Sequence, residues 1–177
     1  MKKSKDLVLM IVRYFCVLLL GFGNLYLLYF VLTPITTFVF YLLISLFMNT
    51  NFVGNEIVVG NYFIEIVRPC VAAAGYYLLF VLGMTTKMKL FVRFKSIITA
   101  FGIFFGFNII RLVFLTFFVG NPSFELIHLI FWHFVSTVFV VVTWLIVIKI
   151  YKIKGIPVYS DLLYVKRLER KKPKRKK

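Results

Sequence analysis

The chain has 177 residues, of which 62% are hydrophobic and 19% aromatic, with a mean hydropathy of +0.95. Those values exclude a soluble globular domain, and also a soluble core with a single anchor, because apolar runs cover most of the sequence. The net charge of +16 is gathered at the amino terminus (Lys2, Lys3, Lys5, Arg13), at Lys87, Lys89, Arg93 and Lys95, and from Lys149 to Lys177. This is the positive-inside pattern of a multi-pass membrane protein, and no nucleic-acid partner is expected.

Residues 7–32 form the first apolar run, long enough at about 1.5 Å per residue to cross a bilayer with some tilt. It is too long for a signal-peptide core and lacks a small-residue cleavage site, so it is expected to be retained. Gly21 and Gly23 mark a kink in it. Pro34 opens a shorter run, 35–48 (ITTFVFYLLISLFM), whose length suits an outer-leaflet or re-entrant helix better than a full span. Residues 51–67 (NFVGNEIVVGNYFIEIV) partly alternate apolar with polar residues and carry Gly-Asn pairs at 54–55 and 60–61. That pattern predicts an external β-hairpin. Pro69 then suits the first turn of a new helix, and residues 70–85 form the next apolar run. The basic loop 87–95 separates it from a span over 96–119. Gly120-Asn121-Pro122-Ser123 is a turn, and a last span covers about 125–148.

The basic segments place both termini and the 87–95 loop on the cytoplasmic side. Cys70, the hairpin and the 120–123 turn are then extracellular, and an odd number of crossings must precede the hairpin. The expected architecture is an all-α integral membrane bundle of about four full spans, one short outer-leaflet or re-entrant helix and a small external hairpin. Five spans with an external amino terminus is the alternative. Residues 1–150 read as one membrane-embedded domain. Residues 151–177 read as a basic cytoplasmic tail whose RLERKKPKRKK end attracts anionic lipid headgroups.

Arg111 lies deep in the run NIIRLVFLTFFVG. A guanidinium near the bilayer centre costs about 2.5–3.5 kcal/mol on insertion scales, so it marks a function. Arg111 is about eight residues below the outer end of its span, and His133 about eight residues into the next, which puts both roughly 12 Å below the outer surface. Helices joined by so short a turn must be neighbours. Cys70 opens a third helix from the same side, so a thiol, an imidazole and a guanidinium can converge. A histidine can take the thiol proton, a nearby cation favours the thiolate, and an arginine can stabilise an oxyanion. Asn108, Arg68 and Ser136 are supporting candidates. Cys16, inside the first run, is a separate thiol, and His128, nearer the outer end, reads as interfacial. No metal site is expected, because two His and two Cys at incompatible depths make a poor ligand set, and no cofactor is expected either.

The order EIVRPC (65–70), NIIR (108–111) and WHFVST (132–137), behind an external hairpin, resembles the exosortase/archaeosortase family, in a minimal archaeal-type form, over about residues 35–150. The resemblance implies a multi-spanning cysteine transpeptidase. Such an enzyme cleaves secreted, membrane-anchored substrates near a carboxy-terminal sorting signal (a short motif, a membrane helix and a basic tail) and passes the new terminus to a lipid or similar acceptor. It implies Cys70 as nucleophile, Arg111 as carbonyl or oxyanion stabiliser and His133 as base or acid. Many members have Ser-Gly directly after the cysteine, where this chain has Val71-Ala72, and Thr137 replaces the usual glycine after the histidine. A reading from another class is a small transport or channel subunit with Arg111 and His133 lining a polar path.

Overall fold

The computed structural model describes residues 2–53, 56–60, 62–159, 162 and 166. In chain order the elements are α1 (Lys2–Gly21), α2 (Tyr26–Ile44), β1 (Thr50–Val53), β2 (Glu56–Val59), β3 (Tyr62–Ile64), α3 (Arg68–Val71), α4 (Ala73–Thr85), α5 (Leu90–Thr116), α6 (Phe124–Ile130), a π-helical turn (Phe131–Val135) and α7 (Ser136–Tyr151). Four stretches are long and apolar enough to cross a membrane: Tyr26–Ile44, Arg68–Thr85, Leu90–Thr116 and Phe124–Tyr151. Large apolar side chains such as Phe22, Leu18, Phe30, Phe94, Phe134 and Leu145 face outward, the inverse of a water-soluble surface and what a lipid environment requires. The chain is a helical membrane protein with a small antiparallel sheet.

The first two helices are divided differently from the expectation of a span over 7–32 and a separate short helix over 35–48. The chain breaks at Gly23, Asn24 and Leu25, all with positive φ, and α2 then runs uninterrupted through Pro34. Three successive left-handed residues end a helix outright, whereas a proline inside an apolar membrane helix is tolerated. The shorter apolar helix is therefore the first, Val8–Gly21. The contacts show how the two pieces are stacked. Arg13 donates to the Met84 carbonyl and Tyr77 Oη donates to the Val17 carbonyl. Leu28 packs with Ala73 and Tyr76, and Phe40 and Ile44 pack with Ile57 and Val59 of the sheet. Both helices thus climb in the same direction, from the basic-loop end of α4 towards the sheet, as one broken traverse.

The expected hairpin is a three-stranded sheet, order β1-β2-β3. Thr50 pairs Val59 and Val53 pairs Glu56 across the first turn, and Val59 pairs Tyr62 across the second. Gly60, of the second Gly-Asn pair, follows β2 directly. Gly60 has φ +60°, as a tight hairpin turn demands. Ile57 and Val59 are buried against Phe40 and Ile44 of α2 and Ile109 and Leu112 of α5, so the sheet caps one end of the bundle. A second core, centred on Tyr76, Leu79, Phe104, Val140 and Val147, joins α4, α5 and α7 towards the other end. There α5 begins earlier than the expected 96, so that Arg93 and Lys95 are helical. Arg93 is buried and donates to the carbonyls of Gly83, Thr86 and Met88. It serves as a cap for the end of α4, not as a surface charge. The expected basic tail lies mostly outside the described residues.

The segment carrying Cys70 is broken as well. Residues 68–71 make a single turn, Ala72 has φ 57° and ψ 37°, and α4 starts afresh at Ala73. A left-handed residue other than glycine costs about 1–2 kcal/mol. Ala72→Gly is therefore expected to stabilise the protein by about 1 kcal/mol, the relief being partly offset by the greater freedom of glycine in the unfolded chain. Thermal unfolding in detergent measures the sign, and Ala72→Val shifts it the other way.

Candidate functional site

Helix termini leave carbonyls without ladder partners, and in a one-turn helix that includes every carbonyl. Proline at its start and the left-handed turn at Ala72 hold α3 to that single turn, and two side chains of α5 answer the freed carbonyls. Asn108 Nδ2 donates to the Cys70 carbonyl at 2.9 Å. Arg111 donates through one terminal nitrogen to the carbonyls of Pro69 (3.2 Å) and Cys70 (3.1 Å), and through the other to Ser136 Oγ (2.6 Å). Asn108 and Arg111 are three residues apart, hence on one helix face, and only 2% and 4% exposed. The Cys70 thiol lies in the field of the guanidinium and packs against the apolar cluster under the sheet.

Ser136 reaches Arg111 because of the π turn. A π turn widens the helix and re-phases the residues that follow it. Ser136 Oγ donates to the Phe131 carbonyl at 3.0 Å, five residues back, and Thr137 Oγ1 donates to the His133 carbonyl at 2.7 Å. Matched depth on neighbouring helices thus holds for α5 and the last span, but Ser136 meets Arg111 there and His133 does not. His133 is exposed; its Nδ1 lies 3.2 Å from the Leu129 carbonyl and its ring is against Trp132, 4.5 Å between centroids. A carbonyl only accepts, so Nδ1 carries a proton in that contact. His128, expected to be interfacial, is half-buried. Its ring stacks on Phe124 and it lies in the field of Arg111. Arg68 lies over the Tyr29 ring, 5.6 Å from its centroid.

Two polar atoms at this site remain without partners among the described residues: Arg111 Nε and Tyr76 Oη, both buried. An unmet donor of a buried charged group costs upward of about 1–3 kcal/mol, and such atoms call for an explanation. Tyr76 is 1% exposed, edge-on to Phe101 and Phe104, and in the electrostatic range of Arg111. Sequence reasoning passed over it. The available signal was a tyrosine in mid-run, six residues past the cysteine, away from the interfaces where membrane tyrosines gather. The arrangement offers a sulfur nucleophile, a fixed guanidinium with a donor to spare and a buried phenol: the parts for attack on a carbonyl whose oxygen takes up charge. Comparison with protein-family models, with curated proteins and with solved structures gave no match.

Proposed function

We propose that the chain is a membrane cysteine transpeptidase or protease. It would cut membrane-anchored proteins at a carboxy-terminal motif–helix–basic-tail signal and pass them to a lipid or another acceptor. The observation that carries this reading is the spare donor. Arg111 is held by three acceptors on α3 and at the start of α7, while its buried Nε has no partner among the described residues and is available to an incoming carbonyl oxygen. In the proposed reaction the Cys70 thiolate adds to the scissile carbonyl carbon, and the oxygen takes the electron pair under the Arg111 N–H. The C–N bond then breaks as the leaving amine takes the proton the thiol gave up, and a thioester remains. Attack by the acceptor nucleophile, or by water, breaks the C–S bond and restores the thiol. The protein would sit in the cell membrane with the sheet and Cys70 outside. Both termini and the Lys87–Lys89 connection would be inside, with anionic lipids on the tail. The transport reading puts Arg111 and His133 on one polar path, but the first is buried and the second exposed.

The test is processing of a co-expressed tagged protein bearing such a signal, with protein level as control. The proton carrier is resolved by comparing two variants. Half-buried and in the field of Arg111, His128 is expected to matter as much as His133. Both His128→Gln and His133→Gln are expected to slow processing, each by a factor on the order of 10². An effect confined to His133→Gln would mean that the last span turns its π segment inward when substrate binds. Full processing by a double His128→Gln, His133→Gln protein would remove histidine from the mechanism.

A further inference from the structure

We propose that the notch at the break before α2, closed on one side by Arg68 of α3, binds the phosphate of an anionic phospholipid headgroup. The notch is a cavity of about 430 Å³ with Asn24, Tyr26, Tyr29, Thr33 and Arg68 in its lining, and no acidic side chain among them. It lies where the chain leaves helical geometry, at Gly23, Asn24 and Leu25. Around it the surface is made for acyl chains: Phe22, Tyr26, Leu27, Phe30 and Val31 are all exposed. Non-helical backbone facing hydrocarbon is not tolerated unless water or a polar group reaches it. An exposed guanidinium on the same wall draws headgroups and water towards itself.

Arg68 is poised for an anion. Its guanidinium lies over the Tyr29 ring at 5.6 Å, which steadies the plane while leaving the N–H edge free for a two-point contact with phosphate. Asn24, Tyr26 and Thr33 supply neutral donors for the remaining oxygens. Between a free phosphate and a lipid, the apolar rim selects the lipid, because exposed phenylalanines add nothing to the binding of a soluble ion. The site does not depend on the enzymatic reading and stands or falls separately from it.

The experiment uses the full chain in phosphatidylcholine vesicles that contain a small fraction of a phosphatidylglycerol analogue with a photoreactive group on its headgroup. Crosslinked positions are mapped by peptide mass spectrometry. Labelling is expected within residues 22–33, and Arg68→Gln is expected to reduce it about tenfold, the loss of one charge-assisted two-point contact. Arg68→Lys should keep a substantial part of it. Peptides from the basic tail, labelled independently, should not change and serve as the internal control. Arg68 is exposed, so the variants are expected to fold, and wild-type elution from a sizing column verifies this. Undiminished labelling of residues 22–33 in Arg68→Gln overturns the proposal. So does equal labelling by a diacylglycerol probe without phosphate, which would make the notch a plain apolar groove. Displacement of the lipid probe by millimolar inorganic phosphate overturns the lipid assignment in favour of a soluble anion.

Discussion

Cys70→Ser is expected to abolish processing, by a factor on the order of 10⁴ or more, while Cys16→Ser leaves it intact. Losing the nucleophile removes a whole covalent route, so the effect belongs to the largest class of single substitutions. The two cysteines differ in their surroundings. Cys70 lies in the field of a buried guanidinium on a helical turn that Asn108 and Arg111 hold by its carbonyls. Cys16 lies within α1, between Arg13 and Val17, which meet the Met84 end of α4 and Tyr77 respectively. A membrane-impermeant thiol reagent added from outside should modify Cys70 and block processing together. Modification of Cys16 with loss of activity would move the site to the other end of the bundle.

Arg111→Lys is expected to be nearly as damaging as Arg111→Ala, each slowing processing by a factor on the order of 10² to 10³. Lysine keeps the charge but offers a compact ammonium in place of a planar fork. It cannot meet Pro69, Cys70 and Ser136 together and still present a donor where Nε stands. The alanine variant also strands the Pro69 carbonyl, so a stability loss of about 1–3 kcal/mol accompanies it. Ser136→Ala separates the two effects. It removes one bond to Arg111 while leaving Nε in place, and should slow processing less than about tenfold. Full processing by the lysine variant, at a normal protein level, would show that charge alone suffices and would end the oxyanion role.

The parts of this fold that were legible in the sequence are those written in side-chain chemistry. Apolar runs and basic clusters located the spans after the sheet, and the partly alternating stretch with its Gly-Asn pairs located the sheet, though as a single hairpin where three strands form. Arg111 announced itself by its cost in an apolar run, and its meeting with Cys70 followed from depth and neighbourhood. What stayed hidden is written in backbone geometry. The left-handed run at Gly23–Leu25 competes with Pro34 as a breaker, and proline is the louder signal although a membrane helix absorbs it. The π turn at Phe131–Val135 carries no residue signature. Yet it sets the phase of the last span and so brings Ser136, instead of His133, to the guanidinium. Ala72 is an alanine in a conformation suited to glycine, and nothing in its own chemistry reports that.

The left-handed turn at Ala72 and the guanidinium of Arg111 answer one another. Without the turn, α3 and α4 would be one continuous helix, the carbonyls of Pro69 and Cys70 would rejoin the ladder, and the guanidinium would be buried with little to hold. Without the guanidinium, the turn would leave open carbonyls in an apolar setting. Turn and guanidinium thus act as one structural unit, although thirty-nine positions separate residues 72 and 111 along the sequence.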